Sequence, residues 1–273
     1  MKRLTLIFIS IFIMIIFTVC TANPFTGKKT LALVNNESLF ASAFVQYNTF
    51  LKESNVVTRT PEANMVNRVG ERIRMATEKW AEAEGQKEYL DEYKWEYSLI
   101  DSSEVNAWAM PGGKIVFYSG ILPVTKDEAG LAVVMGHEVA HAILNHGQQR
   151  VSANILQQIG AVGLNILTLD QSPEIQALAM TIYGAGSTLF GTLPYSRAHE
   201  IEADQVGLVL MIIAGYEPEA AVEFWQRMTS LGGSSVPQFL STHPSDEKRV
   251  EEMKNYIGEA RRIAERVGII KDE

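Results

Sequence analysis

The chain has 273 residues, 47% hydrophobic and 21% charged, with a formal net charge of -8 and one cysteine. That composition excludes a disordered chain, and Asp+Glu 32 against Lys+Arg 24 leaves no basic surplus to neutralise phosphates, so nucleic acid is not an expected partner. A lone cysteine forms neither an intramolecular disulfide nor a cysteine-rich zinc site, so any metal must be held by histidine and carboxylate.

Lys2 and Arg3 precede an uncharged run whose apolar part extends from Leu4 to Val19. Sixteen residues span about 24 Å as a helix, longer than a typical signal core and short of the ~30 Å hydrocarbon layer, so the run is read as an export signal, cleaved or retained. Cys20 stands where the run stops, the place at which bacterial lipoproteins carry their acylated cysteine; the alternative is a retained signal anchor. Either way the rest of the chain is expected outside the cytoplasm, on the periplasmic side of a bacterial envelope and fixed to a membrane through its N-terminus. The expected organisation is a signal over 1–22, a tether over 23–36 and one domain over 37–273.

Residues 37–53 and 61–84 carry apolar side chains at helical spacing, the second with Pro61 at its start and Thr60 as N-cap. Trp95 to Ile100 alternates as a strand, Gly112-Gly113 marks a turn, and Lys114 to Tyr118 has the β-branched and aromatic content of a further strand. That composition suits a sheet edge, so Gly113, Lys114, Ile115, Val116 and Phe117 are expected to pair their backbone with an extended substrate. Thr125 and Glu128 have capping-box spacing ahead of an apolar helix. Residues 154–193 hold only Asp170 and Glu174 as charges, with a turn at Asp170-Gln171-Ser172-Pro173. A helical hairpin follows, read as a buried pair covering the core in preference to a membrane insertion, because Gly184, Gly186 and Gly191 dilute its apolarity; it also qualifies as a lid. Another apolar helix follows Ala203 and stops at Gly215, and 218–230 and 246–267 are amphipathic. The fold class is α+β, predominantly helical, with a small sheet.

His137-Glu138-Val139-Ala140-His141 lies within the apolar helix. Residues four apart on a helix differ by about 40°, so both imidazoles leave one face a turn apart and can grip one metal ion, with Glu138 beside them to hold and deprotonate water. Coincidence is a poor account of it: with 5 His in the chain, chance yields roughly 0.01 such patterns. A catalytic zinc takes three protein ligands and keeps a position for water. The third ligand is His146, His199, His243 or a carboxylate. Glu200 and Asp204 share a face of the later helix; with Glu200 on the metal, Asp204 would accept the outer N–H of a ligating imidazole. Glu202 and His199 are rotated away from Glu200 by about 200° and about 100°. His146 reads as a surface or capping histidine beside Gly147.

H-E-x-x-H followed about sixty residues later by E-x-x-x-D, inside Ser196-Arg197-Ala198-His199-Glu200-Ile201-Glu202-Ala203-Asp204, resembles the zinc metallopeptidase family of the CAAX prenyl endopeptidase, HtpX, the Oma protease and BepA. Asn106 to Gly113, Thr242-His243-Pro244 and the stretch from Asn23 to Lys28 extend the resemblance, which covers about residues 60–255. It implies a zincin-like fold and an endopeptidase with one zinc on His137, His141 and Glu200, Glu138 as general base and Asp204 behind a ligand. It further implies that His243 and Arg249 reach the cleft, where His243 can fill the fourth zinc position and hold the enzyme inactive. Spanning helices around the motifs and a TPR-type partner domain are not expected. Unfolded or misfolded envelope polypeptides are the expected substrates. The rival reading is a zinc-stabilised chaperone that holds such chains and seldom cuts them.

Overall fold

The computed structural model describes residues 20–187, 193–231, 237–244 and 247–270, so the export segment up to Val19 lies outside the described residues. In chain order the elements are β1 (Cys20–Ala22), β2 (Lys29–Leu31), α1 (Asn36–Glu53), β3 (Val56–Val57), α2 (Pro61–Ala83), β4 (Glu96–Ile100), β5 (Ala107–Met110), β6 (Lys114–Tyr118), α3 (Leu122–Thr125), α4 (Glu128–Ile143), α5 (His146–Leu167), α6 (Pro173–Ser187), α7 (Leu193–Ile213), α8 (Glu219–Ser230), α9 (Gln238–Thr242) and α10 (Glu247–Val267). The architecture is the expected α+β one, mostly helical around a four-stranded sheet of order β3-β4-β6-β5. Thr60 caps α2 as its side chain accepts from Ala63 N–H.

The sheet corrects one expectation. β6 runs parallel to β4, with Glu96 opposite Lys114, and antiparallel to β5, with Trp108 opposite Val116. Both sides of Lys114 to Phe117 are therefore already paired, and no substrate backbone can add there. Ile115, Val116 and Phe117 are fully buried, which is why they are β-branched and aromatic; a central strand and an edge strand draw on the same residue types. The outer strand on the β6 side is β5. Asn106 C=O accepts from Tyr118 N–H, so the antiparallel alternation turns Trp108 and Met110 toward β6 and leaves the backbone groups of Ala107 and Ala109 on the open side. The Asn106 side chain accepts from the Ala107 N–H at 3.0 Å.

α4 is the central helix, buried from Gly130 to Ile143. Its cap is Asp127, whose carboxylate accepts from Gly130 N–H at 2.9 Å; Thr125 ends α3 instead, so the capping box expected from Thr125 and Glu128 does not form. α4 and α7 cross at a pair of glycines. A Cβ on Gly207 would sit 3.0 Å from the backbone carbon of Gly136 and 3.0 Å from the nitrogen of His137, so only glycine lets the two helices meet this closely. Running antiparallel from that crossing, α4 reaches His137 then His141 while α7, read backwards, reaches Asp204 then Glu200.

The C-terminal carbonyls of α4 have no partners within the helix, and the body of the protein supplies them. Asn23 Nδ2 donates to Ile143 C=O at 2.8 Å, as does Tyr89 OH at 2.7 Å, and Tyr93 OH donates to Ala142 C=O at 3.1 Å. The stretch expected to be a tether is thus partly docked: β1 and β2 pair antiparallel, and Gln148 Nε2 donates to Val34 C=O at 2.8 Å.

The α5–α6 hairpin forms around the expected turn but does not cover the core. Ile159, Val162, Ile166, Leu167, Leu169, Ile175, Leu178 and Ile182 are all exposed, and among the described side chains of the pair only the foot of α5, at His146, Gln148, Gln149 and Ser152, is buried. An apolar helical stripe fits a core and an open face equally well, which is why the pattern alone misplaced it. Among the described residues no helix is long and apolar enough to cross a membrane.

Candidate metal centre

His137 and His141 leave the same face of α4, and the closeness of α7 brings Glu200 onto them. His137 Nε2 lies 3.4 Å from Glu200 Oε2, His141 Nε2 lies 3.3 Å from Glu200 Oε1, and the two Nε2 atoms are 3.0 Å apart. His243 enters from the end of α9, with Nδ1 2.9 Å from Glu200 Oε2 and 3.1 Å from His137 Nε2. All four residues are buried, and one donor atom of each lies within 4.8 Å of the rest. α9 is held to the sheet by Phe239 N–H donating to Val105 C=O at 3.0 Å, two residues before β5.

The four side chains are coupled electrostatically. Burial would raise the Glu200 carboxyl, but His137, His141 and His243 hold it far below the ordinary range. Burial would lower His137, yet the Asp204 and Glu200 carboxylates lift it to about 9; His141 is held well below its ordinary value by burial. Such a knot of ionisable groups in a buried pocket is what a metal ion requires of its protein. The donor set fits: imidazole and carboxylate atoms converge on one point, and four residues can each offer one.

Glu138 follows His137 and is 2% exposed. Its Oε1 has no hydrogen-bond partner and stands 3.4 Å from His243 Nε2. A buried, unpartnered carboxylate oxygen costs a few kcal/mol unless something meets it, and a water molecule between it and the metal point would do so.

Asp204 accepts at 2.9 Å from His137 Nδ1, so His137 presents Nε2 to the metal point. Arg249 grips the same carboxylate through Nε and, at 2.9 Å, through Nη2. It also donates to Pro244 C=O at 2.8 Å, lies 3.3 Å from Glu200 and stacks 4.0 Å over the Trp225 ring. Reaching the site as expected, Arg249 commits its fork to carboxylates, where it neutralises and orients Asp204 and Glu200. Gly113 to Phe117 do not join the site, for the reason given by the sheet order. The side chain of Cys20 lies outside the described residues.

The residues expected to play no part carry a surprise. His146 is fully buried, not on the surface, and its Nδ1 lies 2.8 Å from His141 Nδ1. His199 and Glu202, although turned away from the metal point, are also buried, and both face His146. The available signal was the fifth position after His141: a histidine just past the end of one helix and at the start of the next can fold back under the preceding turn.

Residues 67–257 match the model of peptidase family M48. The chain belongs to that family. The M48 chain is 36% identical over 174 residues to the mitochondrial metalloendopeptidase OMA1 of Schizosaccharomyces pombe, covering 63% of this chain and 49% of that protein. It is 28% identical over 262 residues to the metalloendopeptidase OMA1 of Bos taurus, covering 93% and 49%. To the beta-barrel assembly-enhancing protease of Escherichia coli it is 32% identical over 173 residues, covering 60% and 35%. The M48 chain thus spans a third to a half of the length of these relatives, and residues 67–257 contain α4, α7 and His243.

Proposed function

We propose that the M48 chain is a zinc-dependent endopeptidase that hydrolyses internal peptide bonds of unfolded or misfolded envelope polypeptides. The observation that carries the reading is the convergence of His137, His141 and Glu200 beside an unpartnered Glu138 oxygen. Two imidazoles and a carboxylate with a fourth position suit zinc in a catalytic site. When bound, zinc supplies Lewis acidity that brings the pKa of water from about 15.7 toward 7. Glu138 Oε1 accepts the proton of the attacking water, and the same carboxylic acid then delivers it to the leaving amine. Asp204 and Arg249 keep His137 in one tautomer throughout. An extended chain laid along β5 would take hydrogen bonds from the Ala109 backbone, which gives affinity with little sequence preference, as unfolded substrates require. The export run and Cys20 support placement at the periplasmic side of a membrane, held by a lipid or a signal anchor. The purified chain is expected to cleave casein, to stop when a chelator removes metal and to resume with zinc; cleavage indifferent to chelator would end the zinc assignment.

A resting state is favoured by His243, whose Nδ1 is as close to Glu200 and His137 as a fourth ligand would be. With His243 there, a bound zinc would have four protein donors and no position left for water, the condition under which the chaperone-like reading holds. His243→Ala is expected to raise casein cleavage several-fold. A fall would instead give His243 a role in stabilising the transition state, and cleavage unchanged in both directions would remove it from the reaction.

A further inference from the structure

We propose that His146, backed by Glu202 and by the ring of His199, is a positioning residue for the metal ligand His141, so that the two histidine ligands of the centre rest on different supports. The inference rests on the metal reading above and goes beyond it to residues that the reaction does not otherwise use.

A histidine that binds metal through Nε2 carries its proton on Nδ1, and that N–H needs an acceptor to fix the ring. For His137 the acceptor is the Asp204 carboxylate. For His141 the atom facing its Nδ1 at 2.8 Å is Nδ1 of His146. To accept, His146 Nδ1 must be bare, which puts the His146 proton on Nε2. That nitrogen is buried without a hydrogen-bond partner, and the group nearest to hand is a carboxylate oxygen of Glu202 at 3.6 Å. Glu202 in turn meets Lys28 Nζ at 3.2 Å. The line from His141 to His146 is thereby assigned as donor to acceptor, with the Glu202 carboxylate the charged group nearest to the far nitrogen.

The plane of His146 is set as well as its polarity. His199 stacks on it with centroids 4.0 Å apart and planes 12° off parallel, and His199 Nε2 lies 3.1 Å from Gln149 Oε1. Gln149 Nε2 donates back to Leu144 C=O at 2.7 Å, at the end of the helix that carries His141. Burying two imidazoles and a carboxylate costs stability unless they are paired, and their shared orientation toward His141 is what they achieve together.

The test uses the full chain and reads metal binding before activity. His146→Ala is expected to weaken zinc affinity by about 10–100-fold in chelator competition and to shift the visible absorption bands of the cobalt-loaded protein. His146→Asn, whose side-chain oxygen can accept from His141 Nδ1–H, should recover much of both, and Glu202→Gln should produce a smaller loss than His146→Ala. Wild-type affinity and spectrum in His146→Ala would overturn the proposal. So would an equal loss in His146→Asn accompanied by a lower melting temperature of the metal-free chain, which would assign His146 to packing. A wild type that takes up no metal overturns the zinc reading and this inference together, whereas a metal-binding wild type with unaltered variants overturns the inference alone.

Discussion

Glu138→Gln is expected to retain metal at the wild-type ratio and to lose about 10³-fold or more in casein cleavage, at the upper part of the range for a positioned general base. The isosteric amide keeps the volume and the burial of the side chain, which is 2% exposed, so the fold should not register the change. What vanishes is the capacity of one oxygen to take and return a proton. Neither His137, His141 nor Glu200 depends on Glu138 for its geometry, and that independence is what makes the separation of binding from cleavage readable. A variant that cleaves at the wild-type rate would remove the peptidase mechanism while leaving the metal centre standing. A variant that loses metal together with activity would show that Glu138 belongs to the donor set.

Arg249→Ala is expected to destabilise the protein by about 3–5 kcal/mol, the cost of breaking a buried ion pair by removing one partner. Burial would raise the Asp204 carboxyl; Arg249 first, and His137 after it, hold it below its ordinary value. Without the guanidinium, two buried carboxylates, Asp204 and Glu200, face each other's charge with only histidines for relief. The cation stacked on Trp225 disappears too. The loss should appear in denaturant or thermal unfolding of the metal-free chain, and Asp204→Asn introduced into Arg249→Ala should restore part of it because the orphaned charge is then gone. An Arg249 that served only a transition-state oxyanion would behave otherwise: stability unchanged, turnover reduced.

Much of the site could be read before any coordinates, for reasons that differ residue by residue. His137, Glu138 and His141 are legible because a helix converts spacing into direction, and an apolar helix has no other reason to carry them. Glu200 and Asp204 are legible by the same arithmetic on α7, and the resemblance to the metallopeptidase family is confirmed by the M48 match. The crossing that joins the two helices was not legible: Gly136 and Gly207 look like ordinary interruptions of apolar runs until their backbones are seen 3.0 Å from a would-be Cβ. The arithmetic also failed for His146. A 140° rotation from His141 places it off the metal face, but rotation alone does not reveal that a left-handed Asn145 precedes α5 and folds the ring back under His141. Strand β6 was misread as an edge because hydrophobic content reports burial and not neighbours; its parallel partner β4 comes from before β5 in the chain, and only topology puts them side by side. The exposed hairpin shows the same limit from the other direction, since an apolar stripe announces a partner without naming it.

One measurement bears on the whole account more directly than any variant: elemental analysis of the purified chain together with a zinc titration of the chelator-treated protein. The arrangement of His137, His141 and Glu200 around one point predicts one zinc per chain, saturable and lost in Glu200→Ala. A metal-free protein that takes up no zinc, or a zinc content indifferent to Glu200→Ala, would contradict it.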